Sequence, residues 1–501
     1  MMRRNSSLGS VGFSARGGRS RRRHGGSSKL PYLILIGILI VLLGIAAFLW
    51  VRRSPAEHVS SVPAATETDS ENGVISLDNA SAPADDSLEG VIAQAKLLAD
   101  GYDYDGAINL LSSSTYASDE SVTAAIDEYN ATKETLVRAD PHKVTHVFFH
   151  TLIMDTSKAF DGDSREKGYN QVMTTKDEFM KILQSMYERG FVLVRLHDVA
   201  YEVTAEDGSR HFQEGDIMLP EGKKPFVMSQ DDVCYYEYMD GDGFASRMII
   251  GEDGKPTNEM KMDDGSVSVG SYDLVPLLDD FIKEHPDFSY KGAKAIIALT
   301  GYEGILGYRT ASSYSETPDY ESEKEQAARV AQCLRDDGWE LASHSWGHLW
   351  MGVSDDPENP YKISDERFYT DTDKWENEVE SLIGPTDIYI YPNGNDVADW
   401  HPYTEENYRY QYLASKGFRY FCNVDASKPA WIQKGPDYLR MARRNLDGYR
   451  LYEDMIQEDP AKKRLSDLFD ASQIFDPSRP TPVTWNYGHT QNETPAPEPE
   501  Q

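Results

Sequence analysis

The sequence predicts an α/β protein: a parallel (β/α) barrel held outside a membrane by a single transmembrane helix, with a small helical hairpin between the two. Three observations carry this expectation. Short apolar runs of strand type alternate with amphipathic helical stretches over roughly 300 residues, the pattern of repeated βαβ units. Two of these runs end abruptly in carboxylates or imidazoles, and in a parallel barrel the C-terminal strand ends open onto the loops that hold ligands. From Pro31 to Val51 every residue is apolar, aromatic, Gly or Pro, close to the ~20 residues needed to cross a bilayer core.

In chain order, residues 1–29 are rich in Arg, Ser and Gly and are expected to form a disordered basic tail. Residues 30–52 are the transmembrane helix. Eight Lys or Arg precede the apolar run 31–51 and only Arg52 and Arg53 directly follow it, so the positive-inside rule puts the N-terminus in the cytoplasm and the body outside. The run is too long for the ~7–15-residue apolar core of a cleaved signal peptide. Residues 53–85, dominated by Ser, Ala, Thr, Pro and acids, are a flexible stalk. In residues 86–140 helical periodicity returns, and the series Ala95, Leu98, Gly101, Tyr104, Ala107, Leu110 is similar to one tetratricopeptide hairpin. A single such unit cannot bury its own face, so it is expected to act as a spacer packed on the next domain. Residues 141–480 are the barrel, and 481–501 an acidic, Pro-rich tail.

Charge narrows the partners. The formal net charge is −33, yet residues 1–53 contain no Asp or Glu and ten Lys or Arg. Beyond residue 53 there are 40 basic groups against 83 acidic ones, a net of −43. Such a surface repels nucleic acid and anionic lipid, which excludes both as partners of the main body. Three scattered cysteines, Cys234, Cys333 and Cys422, imply no disulfide framework, and with no cleavable signal the reading is a bacterial envelope protein.

The barrel begins at Val144–His150, followed by an amphipathic helix from Thr175 to Glu188 and a strand at Phe191–Leu196. The run Pro225-Phe226-Val227-Met228 leads into Ser229-Gln230-Asp231-Asp232, a buried strand delivering two carboxylates to its C-terminal end. Lys294–Thr300 is the next buried strand, and a helix from Glu323 to Asp336 leads to Trp339–Ser343. That strand ends in His344-Ser345-Trp346-Gly347-His348. Two imidazoles four apart in a helical turn can address one ion, and with one carboxylate of the aspartate pair they form a His-His-Asp ligand set with positions left for water and substrate. The other carboxylate is free to act as a base. Further strands are expected at Ile388–Ile390 and Gly417–Cys422, and a short helix at Leu465–Ile474. The cluster Tyr235-Tyr236-Glu237-Tyr238-Met239 suits stacking on sugar rings or packing within the core.

These motifs resemble those of the polysaccharide deacetylases, carbohydrate esterase family 4. Ser229-Gln230-Asp231-Asp232 is similar to the family's Thr-Phe-Asp-Asp, His344-Ser345-x-x-His348 to its metal-binding motif, and Ile388-Tyr389-Ile390-Tyr391-Pro392-Asn393-Gly394 to the strand and loop carrying Arg-x-Pro-Tyr-Gly, in the same order. The opening strand and His150 resemble the branch acting on poly-N-acetylglucosamine, in which the family's usual terminal histidine element is permuted. The resemblance covers about residues 144–455 and implies a distorted barrel and a divalent metal, Zn²⁺ foremost with Co²⁺ or Mn²⁺ as alternatives. It implies that Asp232, His344 and His348 hold the ion, that Asp231 is the general base, and that His150 is the acid protonating the departing amine. The substrate would be an acetylated envelope or extracellular polysaccharide of the N-acetylglucosamine type.

The chain departs from the family pattern in several places. Ile390 stands where the family has the arginine that orders the catalytic aspartate, Asn393 replaces the motif's aromatic, Gln230 replaces Phe, and Val233 replaces Gly. Arg443 in Met441-Ala442-Arg443-Arg444-Asn445 resembles the late arginine of the permuted branch, with Arg444 the competing candidate. Asp371-x-Asp373-x-Trp375 is spaced wrongly for the family's Asp-x-x-Asp-Trp element and receives no role. Two functions of different class follow: a membrane-anchored deacetylase, or a barrel without catalysis that serves as a glycan-binding or scaffolding ectodomain.

Overall fold

Alternation with period two places successive strand residues on opposite faces, so each apolar run here must bury both. The computed structural model describes residues 85–353, 359 and 361–485. The basic tail, the 31–51 segment, nearly all of the stalk and the end of the acidic tail lie outside the described residues. Among the described residues no helix is long and apolar enough to cross a membrane.

Eight strands build the barrel: β1 (Thr145–Phe149), β2 (Phe191–Leu193), β3 (Lys224–Gln230), β4 (Ile296–Leu299), β5 (Glu340–Ser343), β6 (Ile388–Ile390), β7 (Tyr420–Val424) and β8 (Leu439–Asn445). Every pairing among them is parallel, and β1, β3, β4, β5, β6, β7 and β8 close a ring of seven. β2 is the irregularity. It pairs with Lys224–Phe226 on the same edge of β3 whose later residues Ser229 and Gln230 pair with β4. The barrel therefore has seven strands at its C-terminal mouth and an extra one wedged in at its base, a distorted (β/α) barrel.

Inward-facing positions are apolar at the base and polar at the mouth. Val144, Val192, Val227, Ile296, Ala298, Ala342, Ile388, Ile390, Tyr420, Cys422, Leu439 and Met441 form one buried cluster, each large aliphatic side chain contributing on the order of 1.5–3 kcal/mol by burial. One step further along the same strands, on the same face, come His146, Ser229 and Arg443, all buried. The outward positions, among them Val147, Phe149, Phe226, Met228, Ile297, Leu299, Leu341, Tyr389 and Phe421, pack under the surrounding helices.

Ahead of the barrel stand three helices, α1 (Leu88–Asp100), α2 (Tyr104–Ser113) and α3 (Glu120–Lys133), one more than the expected hairpin. α3 buries only Val122, which is why its periodicity is weak in the sequence. The turn between α1 and α2 docks on the barrel: the Tyr102 hydroxyl donates to the Asp287 carbonyl at 2.9 Å and the Lys291 amide donates to the Gly101 carbonyl at 2.7 Å. α4 (Lys176–Glu188) starts with a reciprocal capping box between Thr175 and Glu178 and buries Phe179, Ile182, Leu183 and Met186, the i, i+3, i+4, i+7 stripe of an amphipathic helix. α5 (Leu274–Glu284), α6 (Tyr320–Asp336) and α7 (Asp365–Trp375) continue the outer layer.

Two antiparallel insertions were not legible as such in the strand alternation. A hairpin of Ala200–Thr204 and Arg210–Glu214 plugs the barrel base with Phe212, where the Tyr420 hydroxyl donates to the Ala200 carbonyl. A three-stranded meander, Arg247–Ile250, Pro256–Lys261 and Val267–Gly270, lies between β3 and α5. Its second turn is Asp264-Gly265, with Gly265 at φ +81°, a backbone region that glycine enters without a Cβ clash. The expected helix over Leu465–Ile474 is helical only at Ala471–Ile474.

Candidate metal centre

β3 sets the position of the aspartate pair. The Asp231 amide donates to the Phe149 carbonyl at 2.8 Å, extending the β1–β3 ladder by one residue and placing Asp231 on the inward face with Val227 and Ser229. Asp232 then adopts φ +58°, a left-handed conformation in which Asp is several-fold enriched among non-glycine residues. In a continued strand the neighbouring carboxylates would face opposite sides. The left-handed residue breaks that alternation and brings both to the mouth.

β5 delivers the histidines in a similar way. The His344 amide donates to the Leu299 carbonyl at 3.0 Å, keeping it inward in register with Ala342. The stretch from His344 to His348 is not the helical turn expected from its spacing: Ser345 and His348 have φ +56° and +51°, and this loop folds the second ring back so that the two imidazoles meet edge to face at 5.0 Å. Asp371 on α7 holds the loop, accepting from the Trp346 amide at 2.9 Å and the Gly347 amide at 2.8 Å. The residue given no role in the sequence is thus buried behind the histidine motif and shapes it.

Asp232, His344 and His348 bring one ligand atom each to within 4.8 Å of one another. Donor chemistry fits a divalent ion of the zinc type, which takes imidazole nitrogen and carboxylate oxygen. Two of the three, His344 and Asp232, also have an outer partner that orients them, as metal-binding groups require. His344 Nδ1 donates to the Ile390 carbonyl at 2.8 Å, which leaves the Nε2 lone pair for an ion. The Tyr236 hydroxyl donates to Asp232 Oδ1 at 3.0 Å, and Asp232 Oδ2 lies 3.7 Å from His348 Nε2. His344 is buried, whereas the side chains of His348 and Asp232 retain 31% and 18% exposure, so the set opens to solvent on one side. Cys234 does not join it. Its thiol meets Thr300 Oγ1 at 3.0 Å, and burial pushes its pKa up to about 12.

Asp231 sits beside the set, its Oδ2 3.8 Å from His344 Nε2. Its Oδ1 accepts from Arg443 Nη1 at 2.6 Å. Burial raises the Asp231 carboxyl, but Arg443, then His344 and His150, outweigh it and hold the group well below the usual carboxylate range. Asp232 is also raised by burial and lowered further by His348, His344 and His150. For His344 burial dominates and lowers the imidazole to about 4, so the ring is neutral and able to ligate at pH 7. Arg443 additionally donates to Ser229 Oγ at 3.3 Å, which meets His146 Nε2 at 3.0 Å, a polar chain down the barrel axis that no local motif announces. Arg444 faces outward and pairs with Asp467 at 2.7 Å.

The remaining expected residues divide into near and far. His150 follows β1, donates from Nδ1 to the Val172 carbonyl at 3.1 Å, and stands near enough to both aspartates to lower them. Ile390 is buried in the interior and contributes its carbonyl, while Asn393 is exposed at the turn after β6. Gln230 points away from the mouth, donating to Asp273 at 2.9 Å. Within the aromatic cluster, Tyr235 is a core residue bonded to Asp273, while Tyr236 lies stacked between Tyr302 and the exposed Tyr238 at 4.9 and 5.6 Å.

A parallel barrel carrying two histidines and one aspartate that could hold a metal ion at its strand C-termini is the frame that fold and site define. No family model and no curated protein sequence matches the chain. Solved structures similar to it include a de-N-acetylase from Aggregatibacter actinomycetemcomitans, at 15% identity over 61% of this chain and 95% of that one with a TM-score of 0.33. Another is IcaB from Ammonifex degensii, at 12% identity over 60% of this chain and 91% of that one with a TM-score of 0.30. Likeness of this size assigns no residue a role, and the site rests on its own geometry.

Proposed function

We propose that this chain is a membrane-anchored, metal-dependent deacetylase that removes acetyl groups from an envelope or extracellular polysaccharide of the N-acetylglucosamine type. The observation that carries this reading is the placement of Asp231, tethered by Arg443 and 3.8 Å from the nearest ligand nitrogen of the Asp232, His344, His348 set. Those three residues would hold the ion, with Zn²⁺ suited to the donors and Co²⁺ or Mn²⁺ as alternatives. When bound, such an ion supplies Lewis acidity, polarising a carbonyl and lowering the pKa of water to ~7 in favourable zinc sites.

The chain's own residues do the rest. Arg443 occupies Asp231 Oδ1 and keeps the carboxylate ionised, so Oδ2 is the atom that takes a proton from the attacking water. A carboxylate held this low is a weak base in isolation, and a divalent ion held by the neighbouring three residues would offset this by acidifying the water it serves. His150, its Nδ1 fixed on the Val172 carbonyl, gives a proton from Nε2 to the amine nitrogen as the C–N bond breaks, since amide nitrogen leaves badly without one. The anchor reading rests on the apolar 31–51 segment and its flanking charges.

Acetate release from N-acetylglucosamine oligomers, O-acetylated glycans and aryl acetates, with zinc, cobalt or manganese supplied, tests the proposal. Wild type should release acetate. Asp231→Asn should keep the metal and lose turnover by ~10²-fold or more, whereas Asp232→Asn should lose the metal, an amide oxygen being the poorer ligand. No acetate from any substrate, with glycan binding retained, would replace this reading by the scaffold.

A further inference from the structure

We infer that Arg479, from the C-terminal segment that follows the barrel, is a positioning residue for His150, acting through the loop that ends in Thr175. The inference rests on reading His150 as the acid, and it adds a residue that no motif singles out.

The connection is continuous. His150 Nδ1 donates to the Val172 carbonyl, so the ring's orientation depends on where that carbonyl stands. Val172 closes the short helix Glu166–Val172, and both of its flanks are held by one guanidinium. Arg479 Nη1 donates to the Asn170 carbonyl and to Asn170 Oδ1, each at 3.0 Å, and Nη2 donates to the Met173 carbonyl at 2.7 Å. The other two donations, from Nε at 2.7 Å and Nη2 at 2.6 Å, go to the two oxygens of Glu178. All five guanidinium N–H groups are thereby used, and both side chains of the ion pair are fully buried.

Glu178 is itself fixed. It accepts from the Thr175 amide at 2.9 Å as part of the α4 capping box and from the Asp476 amide at 2.9 Å. Asn170 Nδ2 returns to the Pro480 carbonyl at 2.7 Å, and Thr175 Oγ1 donates to Asp476 Oδ2 at 3.0 Å. The segment Asp476–Pro480 is thus stitched to residues 170–178 from both sides. A buried ion pair is weak as a source of net stability, because desolvation offsets the attraction. A fully bonded planar fork instead fixes geometry, and here the fixed geometry is the carbonyl row bearing the His150 acceptor.

Arg479→Lys separates positioning from folding, because an ammonium can stay paired with Glu178 but cannot also span Asn170 and Met173. Turnover of an N-acetylated glucosamine oligomer should fall ~10-fold, while turnover of an activated aryl acetate, whose leaving group needs no proton, and bound zinc should stay within ~2-fold. Asn170→Ala leaves Glu178 paired, should show the same contrast in smaller measure, and serves if Arg479→Lys does not fold. Histidine-selective ¹⁵N spectra supply a readout independent of activity. The bonded Nδ1–H signal that vanishes in His150→Ala should weaken or shift in Arg479→Lys. Unchanged His150 signals, or equal loss on both substrates with a lowered Tm, would overturn the inference. Should His150→Ala itself show no leaving-group contrast, the acid reading falls, and the spectra alone decide whether Arg479 sets the ring.

Discussion

Arg443 and Asp231 lie 212 positions apart in the chain and 2.6 Å apart in the structure, both buried within the barrel mouth. Ile390, in the slot where the resemblance implies an arginine, contributes no side-chain tether, and the guanidinium comes from β8, which is separated from β6 by β7 and from β3 by β1.

Removing that guanidinium leaves a buried carboxylate without its charge partner. Arg443→Ala should therefore cost on the order of 3–5 kcal/mol of stability and abolish turnover, with Arg443→Lys intermediate. Arg444→Ala should lower the melting temperature through loss of Asp467 while sparing the turnover of folded protein. Denaturant melts paired with acetate release check this, and equal losses of turnover at the two arginines would deny Arg443 its place.

Asp371 is the acceptor for two consecutive loop amides, at Trp346 and Gly347. In Asp371→Ala those half-buried donors lose their partner, a cost of about 1 kcal/mol, and the loop carrying His348 relaxes. Metal affinity should drop ~10–100-fold, the usual size for losing an outer support of a ligand. Competition with a chromophoric chelator measures it, and an unchanged affinity would limit Asp371 to stability.

His197, at the base of the barrel, bridges Glu340 at Nδ1 and Asp387 at Nε2, the latter at 3.1 Å. Burial lowers its imidazolium, but Glu340 and Asp387 more than offset this and raise the pKa to about 10. A folded pKa above the unfolded value of ~6.5 means the contribution is complete below that pH and is lost as pH rises through about 10. The side chain is 38% exposed, so solvent screening trims the effect. Thermal melts from pH 6 to 10 should show wild type losing more stability than His197→Gln. Parallel curves would show that the bridge carries no charge-dependent stability.

The 31–51 segment and the arginines before it predict topology. Protease added to intact cells should digest residues 85–485 and spare an epitope placed in residues 1–29. Protection of the barrel would reverse or remove the anchor.

The sequence by itself determined the barrel alternation, the apolar 31–51 segment and the set of ligand candidates. Each of those is written locally, as a period of two, a run of apolar residues, or a spacing of one or four. Asp231 and Asp232 are neighbours, and His344 and His348 share one loop, so a short reading frame contains them. What only the tertiary structure decided are contacts between distant segments. Whether Arg443 or Arg444 enters the barrel depends on the register of β8 against β7 and β1, because a shift of one residue exchanges the two faces. The Ile390 carbonyl as the partner of His344, the Asp371 carboxylate behind the histidine loop and the Arg479 fork beneath His150 are joined across 46, 24 and 309 positions. Hydrogen-bond partners at such separations leave no periodic trace in the sequence, since either partner alone reads as an ordinary core or loop residue until the closed ring of strands brings the two together.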